Sequence, residues 1–155
     1  MSGQLVFVDT LVERAEPRTF RLVIEGDAIA KGRPKLATVG GHARAFTPAR
    51  TRRYEDVVRQ RATVEWNGRP LIADVAIGLE LLFVRAIPAS WAKKKQAAAL
   101  TGDLRPIGRP DLDNCVKAIT DALNGVIYAD DALIAFTTAR KVYGERARVE
   151  VLASW

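Results

Sequence analysis

A long alternation of apolar and polar residues between Leu71 and Arg85 limits the possible folds more than any other feature. Its apolar members recur at every second position, at Val75, Ile77, Leu79, Leu81 and Phe83. Asp74 and Glu80 fall on the opposite face. Because successive side chains of a strand point to opposite faces, this pattern predicts a strand with one buried and one exposed face. The chain must therefore contain a sheet that is covered on one side.

The other predicted elements alternate around this strand. Strands are predicted over residues 19–24, 133–143 and 146–153, and helices over residues 48–66, 90–100 and 111–124. Thr47 is expected to cap the first helix, with Pro48 in its first turn. Gly and Pro interrupt residues 31–35, and Gly40-Gly41 predicts a turn. This order predicts an α+β domain, a small mixed sheet with helices packed mainly on one face. We expect one domain over residues 1–155, with residues 1–17 as a loose arm.

The composition excludes several kinds of site. The single cysteine, Cys115, excludes an internal disulfide and a thiolate zinc site. The single histidine, His42, excludes a multi-histidine metal site and disfavours a Ser/His triad. No apolar run is long enough to cross a bilayer, and charged residues interrupt residues 1–20 where a secretory signal would be apolar. We therefore expect a cytoplasmic protein with no membrane partner.

The charge is strongly uneven along the chain. The net charge is +6, and residues 31–61 contain nine Lys or Arg but two acids. Residues 103–131 reverse the balance, with six acids and three bases. A basic surface attracts polyanions, of which nucleic acid is the default candidate. The alternative is a solvated basic protein that binds no polyanion specifically.

The acids between Arg109 and Ile134 cannot be explained by apolar packing. Asp111 and Asp113 lie at the predicted start of a helix, and Lys117 follows four residues after Asp113. Asp130-Asp131 follow that helix. Crowded carboxylates repel one another unless a cation or a proton neutralises them, and hard oxygen ligands suit Mg²⁺. The pattern therefore indicates a metal site.

Each acid also has a simpler explanation. Asp111 could be a helix cap, and Asp113–Lys117 a solvated ion pair that contributes ~0.3–0.5 kcal/mol. Asp130-Asp131 could be a turn. Asp121, further along the helix, is expected to be structural and to pair with Lys117 or cap another element. One metal site would replace three separate explanations, so we prefer it.

Two other acidic motifs fit poorly. An EF-hand loop needs oxygen ligands at alternate positions, but Cys115 and Lys117 occupy such positions. An aspartyl-phosphate phosphotransferase places its acids after a buried apolar strand, whereas Gly108-Arg109-Pro110 precede Asp111.

The acidic run resembles the RusA family of Holliday junction resolvases, small endonucleases that are often carried by phages and prophages. The resemblance rests on Pro110-Asp111-Leu112-Asp113-Asn114, Lys117, Asp121-Ala122-Leu123 and Asp130-Asp131. It extends to Lys31-Gly32-Arg33-Pro34, Thr47-Pro48, Arg53-Tyr54-Glu55 and Lys141–Glu145. It covers roughly residues 19–152, and the spacing of the acids and the lysine is specific.

The resemblance implies a homodimer in which each subunit has one Mg²⁺-dependent site, with Mn²⁺ as a substitute. The two sites nick symmetry-related strands of a four-way DNA junction, in recombination and repair. The family's active-site aspartates match Asp111, Asp113 and Asp131, and its lysine matches Lys117. Asp130 is treated as a secondary metal ligand. Lys117 would neutralise charge on the phosphate or orient the water, and the sequence leaves both roles open.

The basic residues are expected to bind the DNA backbone without sequence preference. They are Lys31, Arg33, Lys35, Arg50, Arg52, Arg53 and Lys141. Two alternatives to a junction resolvase stay open: a DNA-binding module without catalysis, and a nuclease that acts on flaps or other branched DNA.

Overall fold

The computed structural model describes residues 17–155, so the arm expected over residues 1–17 falls almost wholly outside the described part. Over the described residues the strands are β1 (Thr19–Glu25), β2 (Lys35–Val39), β3 (His42–Phe46), β4 (Ile77–Ala86), β5 (Ile134–Gly144) and β6 (Arg148–Ser154). The helices are α1 (Ala49–Trp66), α2 (Lys93–Thr101) and α3 (Leu112–Leu123), with a short 3₁₀ turn at Asp131–Leu133. None of these helices has the length and apolar character needed to cross a membrane.

Four strands form a mixed sheet in the order β1-β6-β4-β5. β4 pairs in parallel with β5 and antiparallel with β6, and β1 pairs antiparallel with β6. Although β5 and β6 are separated by only a short turn in sequence, β4 lies between them in the sheet. The predicted α+β class and mixed sheet are confirmed.

One face of the sheet forms the core with α1 and α3. The sheet contributes the buried side chains of Phe20, Leu22, Ile24, Ile77, Leu79, Leu81, Phe83, Val149, Val151 and Ala153. The two helices contribute Tyr54, Val58, Ala62, Trp66, Cys115, Ala118, Ile119, Ala122 and Leu123. α1 packs on α3 and β1, whereas α2 packs at the β5 edge. The burial of these apolar side chains fixes α1 against α3, and the polar surfaces of the two helices therefore meet beside the core.

The strand predicted over residues 71–85 is shorter than expected. β4 begins at Ile77, and Val75 is exposed. The preceding segment pairs elsewhere, because Ile72 donates a backbone hydrogen bond to Ile127 and accepts one from Ala129. Those backbone groups are satisfied by the turn after α3, so they cannot extend the sheet.

The predicted cap of α1 is also wrong. Pro48 occupies the N-cap position without a side-chain hydrogen bond, and the helix begins at Ala49. Proline has no backbone N–H group to satisfy, which suits it to this end of a helix.

The segment between β1 and α1 contains a hairpin of which only the turn could be predicted from the sequence. β2 and β3 pair antiparallel around Gly40-Gly41, whose φ angles are 60° and 81°. Two positive φ angles in succession define the tight turn that matches the twist of a hairpin, and glycine adopts them without strain.

Candidate active site

The start of α3 presents two carboxylates that no neighbouring group neutralises. Asp111 is the N-cap residue of α3 but makes no side-chain cap hydrogen bond, and Asp113 lies in the first turn. Both are exposed. Among residues 17–155, neither carboxylate takes part in a hydrogen bond or an ion pair. The simple helix cap therefore does not account for Asp111, since its side chain leaves the helix amides free.

Lys117 pairs with Asp121 and not with Asp113. Its Nζ donates a hydrogen bond of 2.6 Å to Oδ1 of Asp121, one turn further along α3. The ion pair between Asp113 and Lys117, which was the simpler alternative to a metal site, is absent from the ion pairs within residues 17–155. The Asp113 carboxylate thus stays available, and Asp121 has the supporting role expected from its position.

Asp121 is held from its other side by Lys31. Nζ of Lys31 lies 2.9 Å from Oδ2 of Asp121 and also donates a hydrogen bond to Glu55 of α1. The side chains are largely buried, with exposed fractions of 24% for Lys31, 22% for Asp121 and 11% for Glu55. Two carboxylates and two ammonium groups alternate along this chain of contacts, so the charges balance at the junction of α1 and α3.

The pKa values of this network agree with its geometry. Burial raises the pKa of Asp121, but hydrogen bonds from Lys117 and Lys31 outweigh that effect and leave the pKa below its ordinary value. Burial lowers the pKa of Lys31, but Glu55 and Asp121 outweigh it and leave this pKa raised. Both groups are therefore held in their charged forms.

The loop that carries Lys31 is fixed between the two helices. The Lys31 amide donates to the carbonyl of Asn114 on α3 at 2.9 Å, and the Gly32 amide donates to Oγ1 of Thr51 on α1 at 3.1 Å. A Cβ atom at Gly32 would lie 2.8 Å from Cγ of Pro48. Only glycine allows this close approach of the loop to the start of α1.

Asp130 and Asp131 lie in the segment that follows α3. Oδ1 of Asp130 accepts a hydrogen bond of 2.8 Å from the Ala132 amide and so caps the 3₁₀ turn. Asp131 is half-buried, and its carboxylate takes part in no hydrogen bond or ion pair among residues 17–155. Asp130 thus has the turn-forming contact that was the simpler alternative for this pair, and its role as a metal ligand stays a prediction.

Tyr128 links this segment back to α3. Its hydroxyl donates a hydrogen bond of 2.7 Å to the Thr120 carbonyl, and its own carbonyl accepts one of 2.8 Å from the Gly125 amide. Burial raises the pKa of Tyr128, and the negative charges of Asp131 and Asp121 raise it further. The bond from Tyr128 to Thr120 therefore ties the segment before Asp131 to the last turns of α3.

These carboxylates do not form a closed cluster. Within residues 17–155, no three His, Cys, Asp or Glu side chains are grouped closely enough to enclose a metal ion. Mg²⁺ is commonly bound through one or two carboxylates, with waters and substrate phosphates completing its coordination. The unpaired oxygens of Asp111, Asp113 and Asp131 suit that kind of open site by their chemistry.

A cleft of about 410 Å³ opens beside the start of α3, and four basic side chains line it. They are Arg50, Arg85, Arg109 and Lys141. Nζ of Lys141 donates to the carbonyls of Gly108 and Pro110 at 2.7 and 3.1 Å, which positions the loop directly before Asp111. Arg85 and Arg109 are not among the predicted DNA-binding residues, because a lone arginine at a strand end or in a loop gives no pattern.

Cys115 lies in the wall of this cleft and is buried. Burial raises the pKa of its thiol to about 11, an effect that Lys141 opposes and Asp111 and Asp113 reinforce. The thiol is therefore protonated near neutral pH and is a poor nucleophile.

The predicted DNA-binding residues fall into two groups. Arg33, Lys35, Arg50, Arg52 and Arg53 are exposed. Lys31 and Lys141 instead have their ammonium groups engaged by carboxylates and by carbonyls, respectively. Contact with DNA stays a prediction for all seven. The first five are exposed to a DNA backbone, whereas the ammonium groups of the other two already have partners within the chain.

Comparison with known proteins gives two matches. The family described as endodeoxyribonuclease RusA matches residues 25–152, which include every element from β2 to β5 and all the residues of the candidate site. A protein of Bacillus subtilis (strain 168), described as uncharacterized protein YqaN, is 34% identical over 135 residues, or 85% of this chain and 93% of that protein.

Proposed function

The chain belongs to the RusA endodeoxyribonuclease family, and from that membership we propose that it is a Mg²⁺-dependent endonuclease that resolves four-way DNA junctions. One observation supports this reading most strongly. The carboxylates of Asp111, Asp113 and Asp131 have no partners among residues 17–155, and Lys117, one turn after Asp113 on α3, is held in place by Asp121. Unneutralised carboxylates beside a fixed cation are expected where a metal and a phosphate are to be bound.

The reaction would be hydrolysis of a phosphodiester. A water attacks phosphorus and the bond to the 3′ oxygen breaks, so that this oxygen leaves with the developing negative charge. Asp111, Asp113 and Asp131 would hold Mg²⁺, with Mn²⁺ as a substitute. The metal would supply a water of lowered pKa and polarise a phosphate oxygen.

The protein's own groups would orient and stabilise the phosphate. The N–H groups of the first turn of α3 have no partners within the helix and favour an anion. The Lys117 ammonium, aligned by Asp121, would neutralise charge on the phosphate or orient the attacking water. Lys141, through its bonds to Gly108 and Pro110, would keep the loop before Asp111 in place.

Resolution of a four-way junction requires two nicks at symmetry-related positions. We therefore propose that the protein acts as a homodimer with one site in each subunit. Light scattering of the purified protein tests this, because a dimer has a mass of twice 17.0 kDa.

The test of the proposed function is cleavage of labelled DNA of several shapes. Four-way, Y-form, flap and linear substrates with the same arm sequences are incubated with the protein and Mg²⁺. The proposal predicts paired nicks in the four-way junction and much slower cleavage of the others. Preferred cleavage of the flap would favour a flap nuclease instead. Tight junction binding without nicking in Mg²⁺ or Mn²⁺ would indicate a binding module.

A further inference from the structure

The hairpin formed by β2 and β3 projects its side chains into solvent on both faces. All ten of its strand residues are exposed, including Leu36 at 79% and Phe46 at 43%. A two-stranded hairpin alone in water is marginally stable, and exposed apolar side chains in one place often mark an interaction site. The hairpin is therefore a candidate binding surface.

The strand register gives the hairpin two different faces. Lys35 pairs with Phe46, Ala37 with Arg44, and Val39 with His42. Directly opposed residues and those two apart in a strand share a face. One face thus carries Lys35, Arg44 and His42 beside the apolar surfaces of Val39 and Phe46. The other face carries small and apolar residues, at Leu36, Thr38, Ala43 and Ala45.

The charge around the hairpin is entirely basic. From Ala28 to Tyr54 the sequence contains seven Lys or Arg and no Asp or Glu. Among the ion pairs within residues 17–155, none involves Arg33, Lys35 or Arg44. Nothing in the described part of the chain neutralises this face, so it suits a polyanion.

The base of the hairpin is fixed beside the candidate active site. The backbone amides of Lys31 and Gly32, just before β2, donate hydrogen bonds to α3 and α1, respectively. Pro48, just after β3, is the N-cap residue of α1. A rigid base lets the basic face project in a defined direction from the residues proposed to cut DNA.

We propose that the basic face of the β2–β3 hairpin binds a duplex arm of the branched DNA substrate. A two-stranded ribbon fits the major groove, which is about 12 Å wide. Strands of five residues extend roughly 17 Å. With the basic face against the duplex, Lys35 and Arg44 contact phosphates, and Val39 and Phe46 lie against the sugars. This inference rests on the proposed function and adds to it an arm-binding element that contains Arg44 and His42.

The test is a double substitution with a matched control. In Lys35→Gln/Arg44→Gln two positive charges are removed from the hairpin. In Arg59→Gln/Arg61→Gln two are removed from the exposed side of α1, where both arginines already pair with acids. Junction affinity is measured at several salt concentrations, and nicking is measured in single turnover at saturating protein. Matching circular dichroism melts confirm that the variants fold.

We expect the hairpin variant to bind the junction at least tenfold more weakly at 0.1 M salt. The slope of log Kd against log salt should fall by about 1.8, since each phosphate contact contributes roughly 0.9. The control should stay within threefold of the wild type in both junction affinity and nicking rate. Equal affinity in the hairpin variant and the control would overturn the proposal.

Two further results distinguish failure of the proposed nuclease function from failure of the proposed hairpin contact. If the wild type binds junctions but never nicks them, the proposed nuclease function fails, whereas the hairpin contact is still judged by the binding data. If Leu36→Ser converts a dimer into a monomer while Lys35→Gln/Arg44→Gln binds DNA normally, the hairpin docks on a second copy of the chain and the DNA contact is overturned.

Discussion

Lys31 and Asp121 form an ion pair, with Nζ of the lysine 2.9 Å from Oδ2 of the aspartate. This contact joins the loop at the base of the hairpin to α3. The same aspartate binds Lys117 through its other oxygen at 2.6 Å. The position of the proposed active-site lysine is therefore tied to the packing of α1 on α3.

Asp121→Asn should reduce nicking by affecting the position of Lys117. We expect single-turnover nicking to fall by about tenfold, which corresponds to about 1.4 kcal/mol in the activation free energy. Junction affinity should stay within threefold, because Asp121 is proposed to contact no DNA.

A double-mutant cycle distinguishes positioning from a general loss of structure. In a Lys117→Met background, Asp121→Asn should have little further effect on nicking, since the group that it positions is gone. If the two substitutions reduce nicking additively, Asp121 does not act through Lys117.

Lys31→Met should destabilise the protein more than the loss of a surface ion pair would. Glu55 is largely buried and would lose the ammonium group that neutralises it. The expected loss is about 2 kcal/mol in the free energy of unfolding, measured by urea denaturation.

Arg59→Met is the matched control for this prediction, because it removes an exposed pair with Asp56. It should cost less than about 0.5 kcal/mol. Equal losses of unfolding free energy in the two variants would show that the contacts of Lys31 stabilise the fold no more than an exposed ion pair does.

The stability contributed by Asp121 should depend on pH in a defined direction. Its pKa in the folded chain lies below the ordinary value of 3.8. A group with a lowered folded pKa stabilises the fold fully above its ordinary pKa, and this contribution disappears as the pH falls through the folded pKa. The wild type should therefore be more stable than Asp121→Asn at pH 6, and the difference should shrink steadily below pH 3.8. Urea denaturation across this range measures it, and a difference that does not change with pH would contradict the assignment.

The sequence predicted the elements whose pattern is local. The alternation around Leu79 and Leu81 indicated the central strand and its buried face, and Asp111 and Asn124 marked the ends of α3. The acids at Asp111 and Asp113 could be placed together at the start of that helix because their spacing is short. These features depend on neighbouring residues, which a single sequence shows directly.

Contacts between distant segments could not be predicted in this way. The bonds from Lys31 to Glu55 and Asp121 depend on how α1 packs on α3, and Lys141 was assigned to DNA although its ammonium binds the loop before Asp111. The hairpin strands were missed because β2 and β3 have no buried face, so no alternation of apolar residues distinguishes them from a loop.

The most direct test of the proposed function is Mg²⁺-dependent nicking of a four-way junction by Asp113→Asn, compared with Asp74→Asn. Both substitutions remove one exposed carboxylate charge, but only Asp113 lies at the start of α3. Asp113→Asn should bind the junction as the wild type does, and its nicking should fall by at least roughly a hundredfold, because a proposed metal ligand is lost. Asp74→Asn should keep full activity. Nicking by Asp113→Asn at the wild-type rate would contradict the proposal that these carboxylates form the active site.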